Sequence, residues 1–551
     1  MITFDDSPVS YWALGILLFF SAALFSVFSS LKNQHLNINW MVRFAILLQL
    51  LLVLYCRLPV IVFNESLNLD ENVFIVGAMT LAKSPFYWES VDGCTSGPFN
   101  FYIITAFCEI FKQPYDYISA RIVGILLLMG SCLFSFFALR ILFSADTALL
   151  SLFPATSYLG LTRHWDFVNY SSEQLPIFLI SIMLYYFAKI YSSKKSIDKM
   201  NVFVFGFIAG GIIFTKLQAI PIAFCLTISG YWLIYEKRKN DFLTNTVIFT
   251  ISGSISTLFL LLIGYYYRFL DKIWIFYLKN NLSYGRESRS IIHSIFISFS
   301  DSFNIFIRII ILLSGLLLFY FIFLKKRIKP NTLSFMLILF TASSIISVYK
   351  TGFVFHHYLL FLIFPSVFLF AFLLDEISIL SEWFLKIGIS AIATFYLLLQ
   401  TNTVAFSNHF VSANKPQRPL SISKTGDQIL KYSHPYESLV IWGGGEHGRL
   451  YLETKRTQGI RWSNSHWGMY SYALQKNFQK EFIAELKATP FPVIIDAHPT
   501  KNTFMTRDKL GYETNKELKE HIDSKYQLIG EFDEQRVFVH KERLEQMNAE
   551  K

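Results

Sequence analysis

Apolar residues in this chain fall in long unbroken blocks rather than alternating with polar ones. The blocks cover residues 10–30, 41–63, 119–143, 147–162, 175–191, 202–215, 219–235, 243–265, 303–324, 333–348, 358–374 and 383–401. A helix needs about 20 apolar residues to cross the hydrocarbon of a bilayer. Most blocks reach or approach that length. The pattern therefore predicts a polytopic α-helical membrane protein with about 12 transmembrane helices. The blocks are too long, and alternate too little, for an outer-membrane barrel.

Two polar stretches break the pattern at length, 64–118 and 266–302. Within the first, Phe99–Phe111 is apolar but short, which suits a helix lying in the interface or re-entering the bilayer. After Asn402 the composition turns soluble. There Ser438–Trp442 reads as a strand, 478–487 as a helix, and 492–495 and 536–540 as two further short strands. The expected organisation is a membrane domain over 1–404 and a C-terminal α/β domain over 405–551.

Composition supports the membrane class. Hydrophobic residues make up 53% of the 551 and charged residues only 16%, against about 25% charged in soluble domains. The net charge of +10 reflects cytoplasmic loops first, and no basic arm or stacking motif predicts a nucleic-acid partner. Cys56, Cys94, Cys108, Cys132 and Cys225 lack metal-ligand spacing and read as small hydrophobes. No cleavable signal peptide is expected, since Asp5 and Asp6 stand where a basic segment would be.

Charge sorts the loops. Lys32 and Arg43, Arg140, Lys194, Lys195 and Lys199, Lys237 to Lys239, and Lys325 to Lys329 all fall on one side of the predicted spans. That side is the cytoplasm by the positive-inside rule. Both termini and the C-terminal domain then face outward. So do Asp70 and Glu71, Asp166 and Glu173, Lys216, Arg286 and Arg289, and His356 and His357. Acids and cations gathered at one membrane surface suit a reaction on a phosphate-bearing lipid. Cations hold the leaving phosphate, and a carboxylate takes a proton from the attacking group.

Each cluster also has a plainer reading. Loop charges pair with each other, and Lys350 and Arg268 read as snorkelling side chains. Lys216 stands between two apolar runs, where an unpaired charge is costly and functional use is favoured. Adjacent histidines on a helix point about 100° apart, so His356 and His357 rarely share one metal; one of them reads as a phosphate or hydroxyl partner. Asp70 and Asp166 could hold a divalent cation. The run from Gly443 to Gly448 after a strand resembles a phosphate cradle, but no Lys-Ser/Thr follows, so a structural turn is the expected reading.

Ordered along the chain, a set of short matches resembles the GT-C glycosyltransferases, especially bacterial proteins similar to dolichyl-phosphate-mannose protein mannosyltransferases. They are Asp70-Glu71, Gly97-Pro98, Ala120-Arg121, Glu173, Gly210-Gly211 with Thr215-Lys216, His356-His357-Tyr358 with Pro365, and Val440 to Gly443 with Tyr451 and Arg461. Many relatives carry Lys-Pro where this chain has Gly97-Pro98.

The resemblance implies sugar transfer from a polyprenyl-phosphate donor to a glycan, lipid or protein acceptor at the outer face of a bacterial inner membrane. It implies inversion with Asp70 as base, Glu71 as an alternative that orients the acceptor, Glu173 or Asp166 as the second acid, and Lys216 on the donor phosphate. Arg286, Arg289, His356 and His357 are further candidates for that phosphate, and no cofactor beyond a possible divalent cation is implied. Two other readings stand beside it: a polysaccharide polymerase or ligase using lipid-diphosphate donors, and a transporter or flippase. The latter uses midplane charges and paired halves, whereas here the charges lie at one face and no two-fold repeat is visible.

Overall fold

The computed structural model describes residues 9–29, 38–162, 164–193, 197–237, 241–283, 290–300, 305–319, 331–350, 355–378, 383–400, 420–465, 472–500 and 506–549. Arg286, Arg289 and the basic stretch Lys325 to Lys329 lie outside these residues. The chain divides into two compact units. One joins Met1–Val62, Gly124–Tyr266 and Ser288–Asn414; the other joins Phe63–Val123, Tyr267–Glu287 and Lys415–Lys551.

The first unit is helical. Every apolar block expected to span has a helix at its position. Among the described residues, eight helices are long and apolar enough to cross a membrane: Val9–Phe28, Asn39–Val62, Tyr117–Leu142, Gln174–Ser192, Leu217–Lys237, Phe242–Tyr266, Thr332–Tyr349 and His356–Glu376. Lys199–Phe214, Ile305–Leu318 and Phe384–Leu399 are shorter apolar helices, as is Ala145–Leu161 at 17 residues.

The helix Ala145–Leu161 is central. Everything from Thr147 to Leu161 is buried, and it packs against Val9–Phe28, Ile38–Val62, Leu360–Ser378 and Trp383–Gln400. Its polar groups are tied to those neighbours. Gln49 donates to Ser26 Oγ at 2.9 Å and to the Leu149 carbonyl at 3.1 Å. Lys386 reaches Asp146 and Thr147 at 3.0 Å each. Such bonds hold helices together where apolar burial does not discriminate protein from lipid. Small residues do the same for Lys199–Gly211 and Phe242–Tyr266. A Cβ on Gly210 would lie 1.9 Å from the Gly253 carbonyl oxygen, so the backbones touch there and only glycine fits.

The second unit carries a five-stranded sheet, ordered β2-β1-β3-β5-β4. β1 is Ser438–Trp442, β2 Thr457–Gln458, β3 Val493–Asp496, β4 Tyr526–Phe532 and β5 Gln535–His540. β1 pairs in parallel with β2 and β3, and β5 is antiparallel to both β3 and β4. The tail is thus α/β with an antiparallel edge. The helix Tyr472–Ala488 covers the sheet through Phe478, Phe482, Ile483 and Leu486.

The unit also includes Leu69–Leu81 and Phe99–Phe111, packed so closely that a Cβ on Gly77 would meet the Phe101 ring at 2.6 Å. Arg461 joins the tail to both polar stretches. Its carbonyl accepts from the Asp92 N–H at 2.7 Å, and its guanidinium lies 4.4 Å from the Phe276 ring centre and 4.2 Å from that of Trp462. The five cysteines are free.

Candidate functional site

In the helical unit, three chain segments bring charged side chains together. The first is the link before Gln174–Ser192. It contains the one-turn helix Trp165–Val168, capped by His164, whose Nδ1 accepts from the Asp166 N–H at 3.2 Å. Asp166 and Glu173 both lie in this link, and both are buried. The second is a break in a helix. Lys199–Gly211 tightens into a 3-10 turn at Ile212–Phe214. Lys216 is extended, with φ −158° and ψ 126°, before a second 3-10 turn at Leu217–Ala219. Irregular backbone at membrane depth is tolerated where protein surrounds it or water fills a cavity. The third is the 3-10 turn His356–Leu359 leading into Leu360–Ser378.

Lys216 is buried and forms an ion pair with Glu173. Its ammonium also donates to Ser172 Oγ at 2.7 Å and lies 4.8 Å from the Tyr358 ring centre. An ammonium has three donors. Two are used here, so one has no hydrogen-bond partner among the described residues. His357 reaches both acids, with Nδ1 3.7 Å from Asp166 Oδ2 and Nε2 4.0 Å from Glu173 Oε1. His356 Nδ1 lies 3.8 Å from the same Asp166 oxygen. Burial pushes the Glu173 carboxyl up, but Lys216 and then His357 outweigh it and hold the group below its ordinary value.

His164, Asp166 and His356 each offer a ligand atom, all within 4.8 Å of one another. Neutral imidazole and carboxylate together suit a borderline divalent ion such as zinc. His356 joins this group, while His357, whose Nδ1 is as close to Asp166, bridges the two acids.

In the sheet-bearing unit, Asn68 caps Leu69–Leu81 by accepting from the Asp70 N–H at 2.9 Å. Asp70 is exposed in the first turn, and Glu71 is fully buried. Arg121 grips Glu71 with two bonds, Nε to Oε1 at 2.8 Å and Nη2 to Oε2 at 2.6 Å, and also donates to the carbonyls of Phe63 and Glu65. The next residue, Asn72, accepts from the Tyr117 hydroxyl at 2.6 Å. The two adjacent acids are therefore divided, one exposed and one clamped in the interior.

The glycine run takes the turn expected of it. Gly445–Gly448 is a 3-10 turn docked on the Asp70 helix, where a Cβ on Gly448 would lie 2.6 Å from Asn72 Cβ. Beside it Arg449 pairs with Glu65.

Sequence reasoning missed His164 and Ser172 as members of the Lys216 cluster, and it named Tyr358 only beside His356 and His357. Lone residues of these types have no spacing that marks them. It quoted Arg121 without its partner, although an arginine at the mouth of one apolar block and an acid near the end of another is a signal that can be read.

No protein-family model matches the chain, and no curated protein matches it by sequence. Solved structures do. ArnT from Cupriavidus metallidurans bound to undecaprenyl phosphate is 12% identical with a TM-score of 0.55, over 92% of this chain and 98% of that one. This is a GT-C fold. The apo form of ArnT matches at the same TM-score and identity over 90% of this chain and 97% of that one. An oligosaccharyltransferase from Archaeoglobus fulgidus tethered to an acceptor peptide reaches only TM-score 0.41 at 10% identity, over 90% of this chain and 70% of that one. The ArnT likeness extends the sequence expectation to the whole fold. It does not reach the mannosyltransferase-like subfamily.

Proposed function

We propose that this GT-C chain is a membrane glycosyltransferase that moves a sugar from a polyprenyl-phosphate carrier to a hydroxyl-bearing acceptor. The observation that carries this is the cluster of Lys216, Glu173, Asp166, His356 and His357. It gathers a buried cation with a spare donor, two acids and two imidazoles from three distant segments. The ArnT structure that shares the fold holds undecaprenyl phosphate, the kind of lipid such a cluster would bind.

In this reading the Lys216 ammonium donates to a non-bridging oxygen of the donor phosphate, sharing its charge with Glu173. As the glycosidic bond breaks, negative charge builds on that phosphate, and a fixed cation stabilises it. Arg286 and Arg289 remain candidates for the same role. Asp70 is the base: exposed, it can accept the proton of an acceptor hydroxyl as that oxygen attacks the anomeric carbon. One displacement from the back face inverts the configuration. Glu71, neutralised by Arg121, holds the Asp70 helix rather than taking the proton. Asp166, with His164 and His356, would hold a divalent cation that offsets phosphate charge. The tail, 405–551, shapes acceptor binding. We place the protein in a bacterial inner membrane with this chemistry on the extracytoplasmic side.

The test is binding and turnover in nanodiscs. Undecaprenyl phosphate should bind the wild type, and Lys216→Met should weaken it by tenfold or more, one charge-assisted bond being worth about 1.5–3 kcal/mol. Equal affinity in the two would refute the phosphate role. Mono- and diphosphate-linked donors compared in the same assay separate transfer from the polymerase or ligase reading.

A further inference from the structure

Arg57 lies in the helix Ile38–Val62 and is buried. Its Nε donates to the Leu159 carbonyl at 2.7 Å and its Nη1 to the Phe167 carbonyl at 2.8 Å. Leu159 is in the last turn of Ala145–Leu161, where helix carbonyls lack intrahelical donors. Phe167 follows Asp166 in the turn Trp165–Val168. One planar fork thus ties the end of the central helix to the turn that carries Asp166.

A guanidinium is a costly way to satisfy two carbonyls. Among the described residues Arg57 makes no ion pair, and its buried Nη2 has no hydrogen-bond partner. Gln49, on the same helix, satisfies its own buried neighbours without charge. Buried charge without a carboxylate is kept where it serves function. The rigid two-pronged geometry is what lysine and glutamine cannot supply together.

We infer that Arg57 is a positioning residue: it fixes the Trp165–Val168 turn so that Asp166 stands within reach of His164, His356 and His357. The inference rests on the reading of Asp166 as a site residue only for its functional consequence. The positioning itself is a property of the turn.

The experiment uses the full chain in nanodiscs. Arg57→Gln should raise amide hydrogen exchange at residues 165–169 by about tenfold or more, the loss expected for one to two charge-assisted bonds. It should also weaken Co2+ binding, read by the visible bands of the ion, by a similar factor. Gln49→Leu serves as the control for general loosening and should leave exchange at 165–169 unchanged. If Arg57→Gln does not fold, Arg57→Lys retains the charge, reaches one carbonyl at a time, and should give the same change to a lesser degree. Unchanged exchange at the turn, or an equal rise in Gln49→Leu, overturns the inference. Absence of Co2+ binding in the wild type counts against the cation reading alone, and exchange then decides the role of Arg57.

Discussion

Lys216 and Glu173 pair inside the helical unit from two places where helices are interrupted, the start of Gln174–Ser192 and the break after Ile212–Phe214. Both are buried, so neither charge is tolerable without the other. Removing one partner of a buried pair costs about 3–5 kcal/mol, whereas replacing both with apolar groups can be neutral. Lys216→Met is therefore expected to destabilise the protein strongly. Lys216→Met combined with Glu173→Leu should recover most of the stability and none of the transfer. A melt with a radiolabelled-donor assay checks this, and a double variant as unstable as the single one would refute the pairing energetics.

The same pair fixes the sign of a pH effect. The folded-state carboxyl of Glu173 is held low by Lys216 and His357 against burial. Its contribution is present at neutral pH and is lost only as acid carries the protein through that lowered value. In Lys216→Met, burial dominates and the carboxyl moves up. The variant, unlike the wild type, should then gain stability between pH 7 and pH 5 as Glu173 takes a proton. Melts at the two pH values measure it.

Asp70 and Glu71 are neighbours with opposite expected phenotypes. Asp70 is exposed, so Asp70→Asn should leave the melting temperature unchanged and abolish transfer. Glu71 is gripped by Arg121, and both side chains are fully buried, so Glu71→Gln should cost several kcal/mol of stability. Near-normal turnover by Asp70→Asn would remove it as the base.

How much of this was legible in the sequence follows from the physics of each element. Helices were readable because a span must be long and apolar, and the four that fall short do so by length, not by pattern. In the tail, the buried strands β1, β3 and β5 were visible as apolar runs. β4 was not: only Tyr526 is fully buried, the other positions are exposed or half-buried without alternation, and the register shifts between Leu528 and Gly530. β2 has two residues, too few for any period. At the candidate site, charge near a predicted membrane exit pointed to Asp166, Glu173, Lys216, His356 and His357 as candidates. What it could not supply was pairing. That Lys216 meets Glu173, or that Arg121 takes Glu71 and leaves Asp70 exposed, depends on helix packing between segments far apart in sequence.

A cation at His164, Asp166 and His356 predicts a specific dependence. Wild-type protein stripped with a chelator should lose transfer and regain it with a divalent ion. Asp166→Asn should lose ion affinity by about 10–100-fold or more, since even partners that only orient ligands cost that much. His357→Ala should lose donor affinity while keeping the ion, because His357 lies outside the three-residue group. Activity insensitive to chelation would refute the cation role and leave the Lys216 cluster standing.

The tail carries its own pH response. His521 and His540 pack edge-to-face with Tyr526, and among the described residues His521 Nε2 and His540 Nδ1 are buried without a hydrogen-bond partner. Burial comes first among the causes that lower both histidines; His521 is pushed down further by Lys487 and His540, and His540 by Lys525 and Lys541, although Glu542 partly opposes the shift. The unfolded chain therefore binds more protons than the folded one below the usual histidine range, and stability rises with pH there. Asp496 adds the same slope lower down. Burial raises its carboxyl, but His498 and Arg536 bind and hold it below its ordinary value, so its contribution disappears in stronger acid. The tail should consequently loosen in two stages on acidification, first as the histidines charge and then as Asp496 is protonated. Hydrogen exchange across β4 and β5 as a function of pH resolves the stages. Changing His521→Gln and His540→Gln together should flatten the first and leave the second, whereas an unaltered first stage would assign it to other groups.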